Sequence, residues 1–213
     1  MGMRIIFATG NAGKVREIKQ ILKDAEAEVY SLKDVGLTSE AEENGETFGD
    51  NAYIKVKEIF DKLKAKDELE NTVIMADDSG LCIDFLNGAP GVHSARFMGH
   101  DTDYVIKNAA ILDLMKDVPD EKRGASFICH ICAMTEDGTR YDAEGEMPGY
   151  IDREPKGRQG FGYDPIFYLP ELGKTSGELT EEEKNAISHR GKVLRKMKGI
   201  LEQEGILRLK QSR

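Results

Sequence analysis

The sequence lacks a long apolar run, has few cysteines, and has fewer basic than acidic residues. No stretch of its 213 residues approaches the roughly 18 consecutive apolar residues that a membrane span needs. The first residues lead straight into a strand-like segment rather than a cleavable signal. Three cysteines in apolar surroundings do not make the framework of a secreted disulfide-rich domain. We therefore expect a cytoplasmic protein in a reducing compartment.

The charge balance restricts the partners of the chain. Acidic residues outnumber basic ones by 39 to 30, for a formal net charge of -9. Broad contact with a nucleic-acid backbone needs a basic surface, so DNA and RNA polymers are excluded as partners. A small anion can still bind where a few lysines and arginines converge, particularly beside carboxylates that hold a divalent metal.

Hydrophobic periodicity predicts strand and helix units first, antiparallel strands next, and a closing helix. Strands are predicted at residues 4–8, 29–32, 72–76, 126–134, 140–145 and 165–169. Helices are predicted at 15–22, 52–63, 104–116 and 180–204, the last with a break near Gly191. Loops are predicted at 38–45, which is acidic, and around the short strand within 148–177, which is rich in glycine and proline. Capping boxes are expected at Thr47 with Asp50 and at Thr180 with Glu183. The predicted fold class is α/β, with a mixed sheet and flanking helices.

The segment Thr9-Gly10-Asn11-Ala12-Gly13-Lys14 connects the first strand to the first helix. Free amides and the helix dipole at such a turn favour phosphate, glycine lets the backbone approach it, and the lysine adds a positive charge. A P-loop is excluded, because Ala8 and Val15 stand where that motif needs glycine and Ser or Thr. An ordinary glycine turn with a solvated lysine is the alternative.

Two pairs of acidic residues are candidates for metal binding. Asp77 and Asp78 follow a buried strand, where carboxylates suit Mg²⁺ and one of them could deprotonate a water. Neighbours on a strand point to opposite sides, so only one of the two is expected to face a cleft. Glu42 and Glu43 in the acidic loop could complete the site. The alternatives are an Asx turn for the first pair and a solvated charge run for the second.

Two later clusters could contact the rest of a ligand. Phe161 lies between Gly160 and Gly162, which leaves its ring able to lie against a planar group, although a core aromatic at a turn is the alternative. A polar helical turn follows that could reach phosphate or base edges, or form a solvated face. Its members include Lys184, His189 and Arg190.

The remaining cysteines and histidines predict no chemistry. Cys129 and Cys132 fall on opposite faces of a strand, without a second cysteine pair, and are expected in the core. His93, His100 and His130 lack the spacing of a metal triad, and His130 is expected to be a hydrogen-bonded structural residue.

Six motifs in order extend over nearly the whole chain. They are Thr9–Lys14, Glu42-Glu43 with Phe48 and Asn51-Ala52, Ala76–Leu81, Gly88–Phe97, Gly160–Phe167 and Glu183–Gly191. Together they resemble the Ham1-like family of inosine triphosphate pyrophosphatases. His93 departs from the pattern, which has an aromatic or similar residue there, and residues 207–213 lie outside the resemblance.

The resemblance implies a fold and an activity. The expected fold is a single domain over residues 1–213, with a long mixed sheet and two lobes around a nucleotide cleft, and a homodimer. The expected activity is Mg²⁺-dependent hydrolysis of non-canonical purine nucleoside triphosphates (ITP, dITP and XTP) to the monophosphate and pyrophosphate. This activity would cleanse the nucleotide pool and keep these nucleotides out of DNA and RNA.

The resemblance also implies residue roles. Thr9–Lys14 would bind substrate phosphate, Lys55 would support the triphosphate, and Ser79 would touch substrate. Asp78 would be the metal-associated proton acceptor, and Glu43, with Glu42 as a further candidate, would hold Mg²⁺. The residues expected around the base and neighbouring phosphate are Phe161, Gly162, Tyr163, Asp164, Lys184, His189 and Arg190.

Two alternatives stay open at this stage. A Maf-type nucleotide pyrophosphatase is separated by residues 188–190 and by the Phe161–Asp164 motif. A non-catalytic nucleotide-sensing module would keep a phosphate turn and a base pocket, but would need neither Asp78 nor the acidic loop.

Overall fold

A computed structural model describes residues 2–10 and 12–210. Its strands within these residues are β1 Met3–Phe7, β2 Ala27–Ser31, β3 Thr72–Ile83, β4 Gly124–Thr135, β5 Arg140–Ile151, β6 Phe167–Leu169 and β7 Lys174–Thr175. Its helices there are α1 Ala12–Ile21, α2 Phe48–Ala65, α3 Tyr104–Leu114, α4 Glu181–Ile187 and α5 His189–Gln203. No helix in the described part combines the length and the apolar composition of a membrane span.

The strands form one mixed sheet in the order β2-β1-β3-β4-β5-β6-β7. Strand β1 pairs in parallel with both β2 and β3, as strands joined through helices do. At the other side, β5 pairs with β6 and β6 with β7 in antiparallel fashion. The predicted α/β fold with a mixed sheet and flanking helices is therefore confirmed.

The chain divides into two compact units. The first contains the described residues up to Asp78, His130–Glu144, and the residues from Arg190 onwards. The second contains Ser79–Cys129 and Gly145–His189.

Helix α2 forms the main packing surface of the first unit. Its N-terminus is fixed by the predicted capping box, in which the Thr47 hydroxyl accepts from the Asp50 amide at 3.1 Å and the Asp50 carboxylate accepts from the Thr47 amide at 3.1 Å. Apolar residues recur at helical spacing along the helix and pack with Ile6 of β1 and Ile74 of β3. They are Ala52, Val56, Ile59, Phe60 and Leu63.

The second unit has its own core. Ile111 of α3 and Leu81 of β3 belong to one buried cluster with Phe127 and Phe167, whose rings lie 4.4 Å apart between centroids. This core supports the turn at residues 160–164, because Tyr163 belongs to the same cluster.

The structure differs from the sequence predictions chiefly in β3, β5, β7 and the last helical segment. Strand β3 does not end at Ala76 but continues to Ile83, because Asp77 and Asp78 find partners while the backbone stays extended. Strand β5 reaches Ile151, and β7 was not predicted. Gly149 in β5 permits close strand packing, since a Cβ there would lie 2.6 Å from the Tyr168 carbonyl oxygen. The break predicted near Gly191 lies at Ser188, whose ψ of 146° is extended.

Candidate active site

Strand β3 places Asp77 and Asp78 side by side in the first unit. Both are buried, with 2% and 9% of their surface exposed. Consecutive strand residues point to opposite faces, and the two carboxylates accordingly have different partners. Only one of the two was expected to face a cleft, and Asp77 lines the cavity described below.

Asp77 is held by two cations. The Lys14 Nζ lies 2.9 Å from both carboxylate oxygens, and the Arg190 Nε lies 2.9 Å from Oδ2. Burial by itself would raise the pKa of Asp77, but the charges of Lys14 and Arg190 outweigh it and hold the pKa far below its ordinary value. Glu17, 3.4 Å from the Arg190 Nη1, adds a second negative charge. Asp77 is therefore ionised and organises two cations.

Asp78 has a different environment. Its Oδ2 accepts a hydrogen bond from the Asn51 Nδ2 at 3.0 Å, and its Oδ1 lies 3.5 Å from the Lys55 Nζ. Burial raises the pKa of Asp78, the charges of Glu43 and Asp77 add to the rise, and Lys55 and Asn51 oppose it. Asp78 is therefore the carboxylate of the pair with the greater affinity for a proton.

The acidic loop brings Glu43 to the same lysine. The Glu43 Oε1 lies 3.5 Å from the Lys55 Nζ, so one ammonium faces both Glu43 and Asp78. Backbone of the loop is fixed to α2: the Glu40 amide donates to Glu58 at 2.9 Å, and Lys62 donates to the Thr38 carbonyl at 2.8 Å.

The residues present fit a hydrated Mg²⁺ ion. Glu43 and Asp78 supply two oxygen donors near one another, and Mg²⁺ in nucleotide enzymes commonly takes one or two carboxylates together with waters and phosphates. Glu42 is exposed. Within residues 2–10 and 12–210, the structure has no group of three His, Cys, Asp or Glu side chains that could hold a metal. The fit to Mg²⁺ therefore rests on Glu43 and Asp78, which face the same lysine.

A cavity of about 600 Å³ lies beside these groups in the first unit. A Cβ built at Gly10 would meet no atom within 4 Å, so the backbone there is open to a ligand. Ala12 and Gly13 lie in the first turn of α1, while Asn11 lies outside the described residues. The polar lining includes Thr9, Gly10, Lys14, Glu43, Lys55 and Asp77.

The turn at residues 160–164 belongs to the second unit and is organised by Asp164. This buried carboxylate accepts from the Phe161 amide at 2.7 Å and from the Ser176 hydroxyl at 2.9 Å, and it pairs with Lys184. The Lys184 Nζ also lies 4.4 Å from the centroid of the Phe161 ring, which is 56% exposed. Phe161 therefore presents an aromatic face backed by a cation.

Other predicted residues of the second unit support this turn. Tyr163 is buried, donates to the Ser94 carbonyl at 2.8 Å, and meets Tyr104 edge to face. Gly162 has a φ of 69°, and its carbonyl accepts from the Asn108 Nδ2 at 3.1 Å. Tyr163 anchors the turn through its ring, and Phe161 is the exposed aromatic.

His189 and Arg190 are neighbours in sequence but belong to different units. The His189 ring is buried and stacks on Phe127, with centroids 5.1 Å apart and planes 12° from parallel. The Arg190 guanidinium donates to the Asp77 carboxylate. Ser79 belongs to the second unit and follows Asp78 directly in β3.

Cys129, Cys132 and His130, for which the sequence predicted no chemistry, have structural roles. Cys129 and Cys132 are fully buried. The two ring nitrogens of His130 face Asp142 at 2.7 Å and Glu144 at 3.3 Å, as expected of a hydrogen-bonded structural histidine.

The sequence predictions missed Glu17, Asn51 and Ser176 as parts of these networks. Asn51 was part of one of the six motifs, but it was given no role. No local pattern indicated Glu17 or Ser176, because their partners Arg190 and Asp164 are distant in sequence.

Comparisons with known proteins agree with these features. A profile of the Ham1 family matches residues 5–200. A Clostridium perfringens protein named dITP/XTP pyrophosphatase is 46% identical over 96% of this chain and 99% of its own length. An Escherichia coli K12 protein of the same name is 46% identical over 90% of this chain and 94% of its own length. The solved structure of the Staphylococcus aureus Ham1 protein has a TM-score of 0.83 at 34% identity and covers 94% of this chain and 99% of that one. The chain belongs to the Ham1 family, as its six motifs predicted.

Proposed function

We propose that this protein is a nucleoside-triphosphate pyrophosphatase that hydrolyses non-canonical purine triphosphates (ITP, dITP and XTP) to the monophosphate and pyrophosphate. The observation on which the proposal chiefly rests is the placement of Asp78. Its carboxylate, with a raised pKa, lies with Lys55 and Glu43 in the unit that also holds Gly10, where the backbone is open to a ligand. The names of the Clostridium perfringens and Escherichia coli relatives support the same substrates.

Asp78 acts as the proton acceptor in this reaction. A water oxygen forms a bond to the α-phosphorus, the bond from that phosphorus to the pyrophosphate oxygen breaks, and the water proton passes to the Asp78 Oδ1. A carboxylate of raised pKa is a stronger base than an ordinary one, and positioned general bases contribute about 10²–10⁴-fold in rate.

The cations of the first unit stabilise the departing pyrophosphate. In a loose phosphoryl-transfer transition state, charge on the phosphate oxygens dominates the barrier, and fixed positive groups lower it. Lys14 and Lys55 supply such charge, and Thr9 and Gly10 line the same cavity, where the backbone at Gly10 is open to a phosphate. Asp77 holds Lys14 in place and also binds Arg190, whose second carboxylate partner is Glu17.

Mg²⁺ is the cofactor in this proposal. Glu43 and Asp78 would hold it, and Glu42 stays a further candidate ligand. When bound, the ion would neutralise triphosphate charge and polarise the phosphorus towards attack.

The residues proposed to contact the purine base are Phe161, His189 and Arg190. The exposed ring of Phe161 provides a stacking face, and Asp164 with Lys184 fixes its turn. A 6-oxo purine presents an acceptor where adenine presents a donor, so a donor from His189 or Arg190 favours the former and leaves adenine unsatisfied. Both residues stay candidates for this donor, and Arg190 also contacts Asp77 and Glu17. We also propose that the protein removes non-canonical nucleotides from the nucleotide pool in the cytoplasm and that it forms a homodimer.

A substrate panel tests the proposal. The purified protein with Mg²⁺ is given ITP, XTP, dITP, ATP, GTP or dTTP separately, and release of pyrophosphate and of orthophosphate is measured. Pyrophosphate from the first three, with ATP and GTP nearly inert, is the expected result. Orthophosphate would overturn the reaction, tight ITP binding without turnover would indicate a sensing module, and preference for dTTP would indicate Maf-type activity.

A further inference from the structure

Asn51 joins two parts of the first unit through a single side chain. It lies in the first turn and a half of α2 and is fully buried. Its Nδ2 donates to the Asp78 Oδ2 at 3.0 Å, and its Oδ1 accepts from the Gly45 amide at 2.8 Å. Gly45 closes the acidic loop that contains Glu43, so Asn51 contacts both this loop and Asp78.

The two bonds require an amide in one orientation. A reversed amide would turn its NH₂ towards the Gly45 N–H and its carbonyl oxygen towards the Asp78 carboxylate, and it would lose both bonds. Because the side chain is buried, no solvent replaces either bond. The amide therefore fixes the rotation of the Asp78 carboxylate: Oδ2 faces Asn51, and Oδ1 is the oxygen towards Lys55.

Gly45 fits this contact by having no side chain. A Cβ built there would lie 2.5 Å from the Asp50 Cβ and 2.9 Å from the Asn51 Oδ1. Neither atom is the end of a flexible chain that can move aside, since Asp50 is tied to Thr47 in the capping box and Asn51 is buried. The loop thus reaches α2 closely enough for the Gly45 amide to bond only when residue 45 is glycine.

We infer that Asn51 is a positioning residue for the hydrolysis: it sets the Asp78 carboxylate and the Glu43 loop in one arrangement. Asn51 acts through these groups and does not touch the substrate. The inference deepens the proposed function and rests on it.

Two substitutions of Asn51 separate its two bonds. Asn51→Asp has the same shape and keeps the acceptor for the Gly45 amide, but it places a second carboxylate against Asp78. Asn51→Leu removes both bonds. We expect both variants to lower kcat on ITP by about tenfold or more with KM within about twofold, because a misplaced catalytic group costs turnover more than binding.

Hydrogen exchange of the Gly45 amide in the metal-free, substrate-free protein gives a readout independent of activity. Loss of one hydrogen bond changes local opening by about tenfold, so exchange should accelerate about that much in Asn51→Leu and stay near wild type in Asn51→Asp. Val56→Ala is the matched control: it removes buried packing from the same helix and should lower the melting temperature while leaving kcat and Gly45 exchange unchanged.

If the Asn51 variants do not fold, Gly45→Ala still tests the inference. It leaves Asn51 and every carboxylate in place but displaces the loop, and it should also lower kcat by about tenfold. A kcat within twofold of wild type in folded Asn51→Asp or in Gly45→Ala, or unchanged Gly45 exchange in Asn51→Leu, would overturn the inference. A wild-type protein that releases no pyrophosphate from ITP would instead refute the proposed function, and the exchange result would still report on the Asn51 link.

Discussion

Lys14 donates to both carboxylate oxygens of Asp77, with its Nζ 2.9 Å from each. The lysine is in α1 and the aspartate in β3, and Arg190 of α5 reaches the same carboxylate. Three elements that are distant in sequence thus converge on one buried charge. Among the described residues, its neighbour Asp78 has one close cation, Lys55 at 3.5 Å. Asp77 therefore organises the surrounding cations, and Asp78 keeps the chemical role of the proposed function.

Replacing Asp77 should therefore destabilise the protein. Asp77→Asn leaves Lys14 and Arg190 without their shared counter-charge, and breaking a buried ion pair costs about 3–5 kcal/mol. Urea unfolding measures the loss. The control is Asp61→Asn, which removes an exposed i,i+4 partner of Lys57 and should cost no more than about 0.5 kcal/mol. Equal effects of the two substitutions would contradict the role of Asp77.

The difference in stability between the wild type and Asp77→Asn should depend on pH. The pKa of Asp77 is lowered in the folded state from an ordinary 3.8, so the unfolded chain takes up the proton first on acidification. The stabilisation is present above the unfolded pKa and is lost as the pH falls below about 5 towards the folded value. The difference in unfolding free energy between wild type and Asp77→Asn should therefore narrow from pH 7 to pH 3. A constant difference would contradict the lowered pKa.

Asp78→Asn should differ from Asp77→Asn, because it should lose activity and keep the stability of the fold. Removal of the general base should reduce kcat on ITP by about 10²–10⁴-fold. The pKa of Asp78 is raised in the folded state, so its ionised form opposes folding at neutral pH, and the asparagine variant should melt at the same or a higher temperature. Activity and melting are measured on one preparation. Near-wild-type turnover would remove Asp78 from the mechanism.

Local patterns predicted the elements of this fold better than they predicted its site. Both capping boxes form as expected, because each depends on residues three apart. The end of β3 was placed too early, because a run of Asp-Asp-Ser-Gly ends a strand unless distant cations meet the carboxylates, as Lys14 and Lys55 do here. The pairing of Arg190 with Asp77 spans 113 residues, and no periodicity encodes it. Motif resemblance, rather than periodicity, named Arg190 as a site residue, and it gave Asp77 no role.

Metal binding should distinguish Glu43 from Glu42. Glu43 lies near Lys55 and Asp78, whereas Glu42 is exposed. We expect Mg²⁺ to raise the melting temperature of the wild type, since a ligand of the folded state stabilises it by mass action. Glu43→Gln should reduce this shift by at least half, and Glu42→Gln should leave it unchanged. Calorimetric scans with Mg²⁺ and with EDTA provide the comparison, and a larger effect of Glu42→Gln would reverse the assignment.

The turn beneath Phe161 should tolerate no side chain at Gly160. Its φ is 76°, and a Cβ there would lie 2.2 Å from the Asp164 Oδ2, so Gly160→Ala displaces the carboxylate that fixes Phe161. The KM for ITP should rise by about tenfold, equal to about 1.4 kcal/mol of binding. Gly173→Ala is the matched control, because Gly173 has a similar φ of 63° and no atom within 4 Å of the added carbon. If both variants raise KM equally, backbone strain rather than the Asp164 contact is responsible.

Hydrolysis of ITP in ¹⁸O-enriched water, with Mg²⁺ and the wild-type protein, tests the central claim most directly. Attack of water on the α-phosphorus, with Asp78 accepting its proton, places the label in the monophosphate and leaves the pyrophosphate unlabelled. Mass spectrometry of the two products measures where the label lies. Label in pyrophosphate would mean attack on the β-phosphorus, label in orthophosphate would mean cleavage of the terminal phosphate, and either result would contradict the account.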